Sequence, residues 1–96
     1  MNFQIAPKST EIQTNWFDAR FYCFSLNVNG KSGWRLPNID ELNEIYLSEN
    51  DFEKRWYWSS TEDSGNDAWS QYMSNGSQYG GNKSFGGTYV RAIRSI

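Results

Sequence analysis

The sequence predicts an α+β domain, with two helices packed on a small antiparallel sheet. Three observations predict it. Apolar residues recur at helical spacing twice before residue 48. From Trp56 onward that period disappears, and aromatic, β-prone runs alternate with turn residues. Five Trp, six Tyr and six Phe supply large apolar groups to a chain of only 96 residues, enough for one core and one domain spanning 1–96.

Phe3 to Ile5 alternate apolar and polar ahead of Pro7, which reads as a short strand. Lys8 to Gln13 reads as a polar connector. Asn15 is a helix cap, with Asp18 in the first turn to meet the positive end of the helix dipole. Ala19, Tyr22, Cys23 and Leu26 then share one helical face. Phe17, Phe21 and Phe24 fall on the neighbouring face, so the apolar sector is wide and the helix is expected to be well buried. Asn27 to Gly30 is turn chemistry, with Gly30 able to take positive φ.

The stretch Gly33 to Leu42 reads as a structural hub. Trp34 and Leu36 flank Arg35, and Pro37 holds Leu36 extended. Asn38 stands three residues before Glu41, a capping-box spacing that starts a second helix over about Ile39 to Leu47. Leu42, Ile45 and Tyr46 form its inner face, and Phe52 anchors the charged connector that follows. Trp56 to Thr61, Ala68 to Met73, Ser77 to Tyr79 and Thr88 to Arg94 read as strands, with Asn75-Gly76 as a hairpin turn.

Composition excludes several chemistries. Net charge is −2 and no basic run occurs, against a nucleic-acid binder. No apolar stretch is long enough to span a bilayer, so no membrane insertion is expected. Met1 to Ile5 lacks the features of a signal peptide, so the expectation is retention in the producing cell or exit by another route, such as on a virus particle. Cys23 is alone and there is no His. That removes intrachain disulfides, cysteine metal clusters, the usual zinc ligand and every Ser-His or Cys-His nucleophile pair. No enzyme activity, metal or cofactor is expected.

Three pieces stand in order: Gly33-Trp34-Arg35-Leu36-Pro37 with Glu41-Leu42, Tyr57-Trp58-Ser59-Ser60-Thr61-Glu62, and Tyr89-Val90-Arg91-Ala92-Ile93-Arg94. Together they resemble the family of the C-terminal domain of bacterial Lcl collagen-like adhesins. Trp16-Phe17-Asp18-Ala19 with Tyr22-Cys23 is similar to that family's first helix, and Ala68-Trp69 and Asn75-Gly76 to its middle strand and turn. The resemblance runs from Phe3 to Arg94. It implies a compact C-type-lectin-like fold and a recognition role like that of adhesins, phage receptor-binding proteins and retroelement-diversified domains. The related formylglycine-generating enzymes use paired cysteines, absent here. The calcium motifs Glu-Pro-Asn and Trp-Asn-Asp of animal lectins are absent too.

The segment from Ser64 to Phe85 is the candidate binding surface. Asn66, Asp67, Tyr72, Ser74, Ser77, Gln78, Tyr79, Asn82 and Lys83 are its candidate ligand-binding residues. Tyr gives contact area at low entropy cost, and Ser and Asn give adaptable hydrogen bonds, as in antibody loops. The same composition fits ordinary surface turns; the resemblance favours binding, because this region would form the exposed ligand face. Glu62, Asp63, Asn66 and Asp67 offer oxygens, but their spacing matches no calcium loop, so they read as a solvated acidic loop. Trp34, Trp58 and Trp69 are expected in the core, with either Trp56 or Tyr57 facing outward. Arg35 and Arg91 are expected to be structural, and Cys23 an inert buried thiol. The function expected is non-enzymatic recognition of a protein or glycan, with homo-oligomerisation as in adhesin and tail-tip relatives. The alternative is an assembly subunit of a virion or fibre tip.

Overall fold

Extended segments from the two ends of the chain pair with each other. The computed structural model describes every residue from Met1 to Ile96. β1 (Phe3–Ile5) lies antiparallel to β7 (Ile93–Ser95), with Ile5 opposite Ile93. The main sheet holds β2 (Ile12–Thr14), β3 (Trp56–Glu62), β4 (Asp67–Tyr72), β5 (Gln78–Asn82) and β6 (Thr88–Val90). Its spatial order is β2-β6-β3-β4-β5. Neighbours run antiparallel except β3 and β6, which run parallel with Tyr57 beside Tyr89. The Asn75-Gly76 turn sits between β4 and β5 as expected, with Gly76 at a φ of 81° that an L side chain would resist.

Two helices complete the α+β fold: α1 (Trp16–Ser25) and α2 (Ile39–Leu47). Asn15 caps α1 by accepting from the Asp18 N–H at 2.9 Å. Asn38 and Glu41 close a full capping box on α2, each side chain accepting from the other's backbone N–H at 2.8 Å. Strand alternation divides the core in two. On one face of the main sheet, Trp58, Ala68 and Val90 pack with Trp16, Ala19 and Cys23 of α1 and with Trp34 and Leu36. On the other, Tyr57 packs with Leu42 and Ile45 of α2, Phe52 and Met73.

The hub predicted around Pro37 joins these layers. The Arg35 N–H donates to the Ile93 carbonyl and the Ile93 N–H donates back, at 2.7 and 2.8 Å. The Ser60 N–H donates to the Pro37 carbonyl, and the Ile39 N–H to Thr61 Oγ1. Gly33 to Leu42 therefore ties β7, β3 and α2 together, with Trp34 and Leu36 buried.

Several expectations need correction. Phe17, Phe21 and Phe24 are not buried; they are 56, 73 and 82 % exposed. A ten-residue helix laid on a sheet has one side to bury, and the Trp16, Ala19 and Cys23 side occupies it. Thr88 to Arg94 is not one strand. The chain leaves the main sheet after Val90 and joins β1 from Ile93, turning where Arg91 Nε donates to the Ala6 carbonyl and the Ala6 N–H donates to the Ala92 carbonyl. The Lys8 to Gln13 connector contains a 3-10 turn (Lys8–Thr10) and runs into β2, which has one strongly apolar residue and so little sequence signal. Trp69 is only half-buried, unlike Trp34 and Trp58.

Candidate functional site

β3 places Trp56 and Trp58 on one face. Register then adds Tyr72 opposite Trp56, Ser70 opposite Trp58, Tyr79 opposite Ser70 and Gly81 opposite Ala68. α1 covers one part of this face. The uncovered part is an open groove of about 770 Å³.

Trp56, Tyr79, Phe85 and Tyr89 line the groove, with Trp58 reaching it from the core. Trp56 is fixed between two tyrosines. Its ring stacks on Tyr72 at 5.2 Å between centroids and meets Tyr79 edge-on at 6.2 Å. Trp58 is anchored by its indole N–H, which donates to the Thr14 carbonyl at 2.9 Å. Gly81 packs directly against the buried ring of Trp58; a Cβ at this position would lie 3.5 Å from Cη2 of the indole. Preformed aromatic walls of this kind bind without first ordering themselves.

The polar groups along the groove are neutral except one. Gln13, Ser70, Asn82 and Thr88 contribute amides and hydroxyls, and Arg55 the single charge. Asn82 uses its Oδ1 to hold the Ser84 N–H and hydroxyl, which leaves its amide N–H₂ for another partner. No acidic residue lines the groove.

The predicted segment 64–85 is split by the fold. Tyr79 and Asn82 line the groove, and Tyr72 supports it through Trp56. Gln78 points to the opposite face, where its amide donates to Gln71 and Gln71 donates in turn to Asn43 of α2. Ser74 and Ser77 lie in the β4–β5 turn, with the Ser77 N–H held by Asn75. Asn66 and Asp67 shape the β3–β4 turn: the Asp67 N–H donates to Ser64, and the Asn66 carbonyl accepts from the Lys83 N–H.

Lys83 requires a correction. Its side chain is 4 % exposed. The ammonium donates to Glu62 and to the Gly65 carbonyl and lies 4.4 Å over the Trp16 ring. A buried ammonium needs such partners, so this residue is withdrawn from any external ligand. The Glu62 carboxyl is correspondingly held below its usual range by the Lys83 hydrogen bond.

Gln13, Arg55, Trp56 and Thr88 were not among the expected site residues. Trp56 was partly legible, since alternation already set it against Tyr57. Gln13 and Thr88 arrive through β2 and β6, whose place in the sheet depends on the parallel β3–β6 contact between distant segments.

The remaining polar clusters are structural. Arg35 grips Glu41 with two hydrogen bonds of 2.7 and 2.8 Å, pulling that carboxyl below its usual range. Arg91 contacts Glu11 and Asp51 and lies over Phe52 at 4.8 Å. The Tyr57 O–H donates to Glu11, and burial pushes the phenol well above its usual value. Burial also pushes the Cys23 thiol up to about 12, so it carries no thiolate at neutral pH. No group of three or more His, Cys, Asp or Glu side chains is placed to hold a metal, and no helix is long and apolar enough to cross a membrane.

Among curated proteins, no match was found. The family profile of the Lcl C-terminal domain, in contrast, matches residues 4–94. That span takes in the hub, both helices, every strand of the main sheet and the groove between them. The chain belongs to the Lcl C-terminal domain family, a membership that suggests a binding or adhesin-type domain.

Proposed function

We propose that this domain is a non-enzymatic recognition module that holds a saccharide of a larger glycan in the aromatic groove. The observation behind this reading is the wall of Trp56, Tyr79 and Phe85 beside neutral amides and hydroxyls. A sugar ring has an apolar C–H face and a polar hydroxyl edge. The rings accept the first, and Gln13 and Asn82 the second. Arg55 forms no ion pair within the chain and suits one anionic substituent. A protein ligand would fill the groove with an apolar side chain and leave these amides poorly used.

The non-enzymatic part has its own support. The chain has no His, its one thiol is buried and protonated, and no carboxylate lines the groove. No group there is suited to serve as general base or nucleophile.

A panel of immobilised oligosaccharides tests the reading. The wild-type domain should bind a subset, and Tyr79→Ala should weaken that binding at least about tenfold, since 1.4 kcal/mol corresponds to one decade. Thermal stability should hold, because Tyr79 is 65 % exposed. A blank panel, or binding indifferent to Tyr79, would overturn it.

A further inference from the structure

The exposed face of α1 is an apolar feature that the groove does not use, and the two share no lining residue. Phe17, Phe21 and Phe24 stand at i, i+4 and i+7, one stripe along the helix. With Trp34, Arg35 and Leu36 of the hub they line a shallow recess of about 510 Å³. An apolar patch exposed in this way on a folded domain marks an interaction site.

We infer that this recess takes a short segment of another protein, apolar along one side and bearing a carboxylate. Charge selects the carboxylate. Arg20 and Arg35 are the charged residues of the lining, and no acidic residue joins them. Arg35 is gripped by Glu41. Arg20 is exposed, lies 4.8 Å over the Trp16 ring and makes no ion pair within the chain. Asp18, two residues before it, accepts from Asn15, and Glu62, which feels its charge, is bound by Lys83. The Arg20 guanidinium is thus left for an external carboxylate, whose two oxygens it can hold together. This cationic spot stands on a chain of net charge −2, so the attraction is local to the recess.

Area selects a segment over a folded partner. The three phenylalanines together expose about two whole residues' worth of surface, on the order of 300–500 Å². A stable pair of folded proteins buries about 800 Å² on each side. The patch falls well short of that, but it suits one apolar side of a helix or extended piece laid along α1. A second copy of this chain using the same face would bring the same cations to it, a juxtaposition that opposes association.

Selection from a random peptide library displayed on phage, against the whole chain, tests the inference. Peptides enriched on the wild type should combine Leu, Phe or Trp with Asp or Glu. Made synthetically and titrated by fluorescence anisotropy, they should bind Phe24→Ser at least about tenfold more weakly. Phe24 is 82 % exposed, so the melting temperature of that variant should stay near wild type. Replacing the peptide's Asp and Glu by Asn and Gln should weaken binding to the wild type about threefold or more, and should make little difference to Arg20→Gln. That arm reads the charge pair without altering the wild-type protein. Tyr79→Ala, in the groove, should leave peptide binding unchanged. No enrichment, binding indifferent to Phe24, or peptides whose carboxylates matter equally to wild type and Arg20→Gln would overturn the inference. So would a wild type that takes up no peptide but adsorbs to phospholipid vesicles, or pairs with itself, through Phe24.

Discussion

At the residue scale, Lys83 shows how a polar position is claimed by the fold. Asn82 and Ser84 on either side are exposed, and composition made all three look alike. The difference is the neighbouring Trp16, whose N–H donates to the Lys83 carbonyl and whose ring lies under the ammonium. Lys83→Ala should therefore cost stability, about 1–3 kcal/mol for hydrogen bonds made by a charged donor. It should leave glycan binding unchanged, because no atom of Lys83 lines the groove. Chemical denaturation and a binding isotherm on the same variant check both halves. A stable variant that lost binding would contradict the assignment. Trp56 and Tyr57 teach the complementary lesson. Alternation required one of them to face outward, but which one depended on α2 and Phe52 covering the Tyr57 side.

Elements differ in how much of their placement their own residues encode. The second helix was legible nearly to the residue, because its cap, its first turn and its apolar face agree within ten positions. The first was legible in extent but not in burial. Its residues carry two apolar stripes, and only the tertiary arrangement decides which one meets the sheet. The last strand was misread as continuous because the alternation continues through Arg91 while the backbone changes partner.

Helix α2 also carries a pH dependence. The bidentate Arg35 hydrogen bond, helped by the Asn38 N–H, holds the Glu41 carboxyl below its unfolded value. A carboxyl depressed in the folded state stabilises the protein above its unfolded pKa, and that stabilisation is lost as pH falls through the folded one. Stability should thus decline from about pH 5 downward, around and below the normal carboxylate range. Glu41→Gln should lower stability at pH 7 and flatten the acid limb. Urea midpoints measured from neutral to acid pH check this; an unchanged acid limb would assign the dependence to other carboxylates. Asp51, held down by Arg91, and Glu62, held down by Lys83, are the others with the same sign.

For the whole molecule, local signals located the fold class, the hub, both helices and the strands from Trp56 to Tyr79. They did not assemble the site. The groove needs β2 and β6 from the two ends of the chain beside β3 and β5 from its middle, and α1 to leave part of one sheet face open. Only Tyr79, Asn82 and, indirectly, Tyr72 were reachable by composition. The aromatic wall came from Trp56, in a strand read mainly as core.

On the proposed reading, ligand occupies the groove beside Gly81, against the rings of Trp56 and Tyr79. The most direct test is titration calorimetry of Gly81→Val against an oligosaccharide bound by the wild type. The new Cβ makes ordinary contact with the Trp58 ring at 3.5 Å, and a β-branched residue suits a strand. The variant should fold with an unchanged melting temperature, while its side chain fills the groove and binding falls at least about tenfold, or 1.4 kcal/mol. A folded Gly81→Val that binds as tightly as the wild type would place the ligand elsewhere.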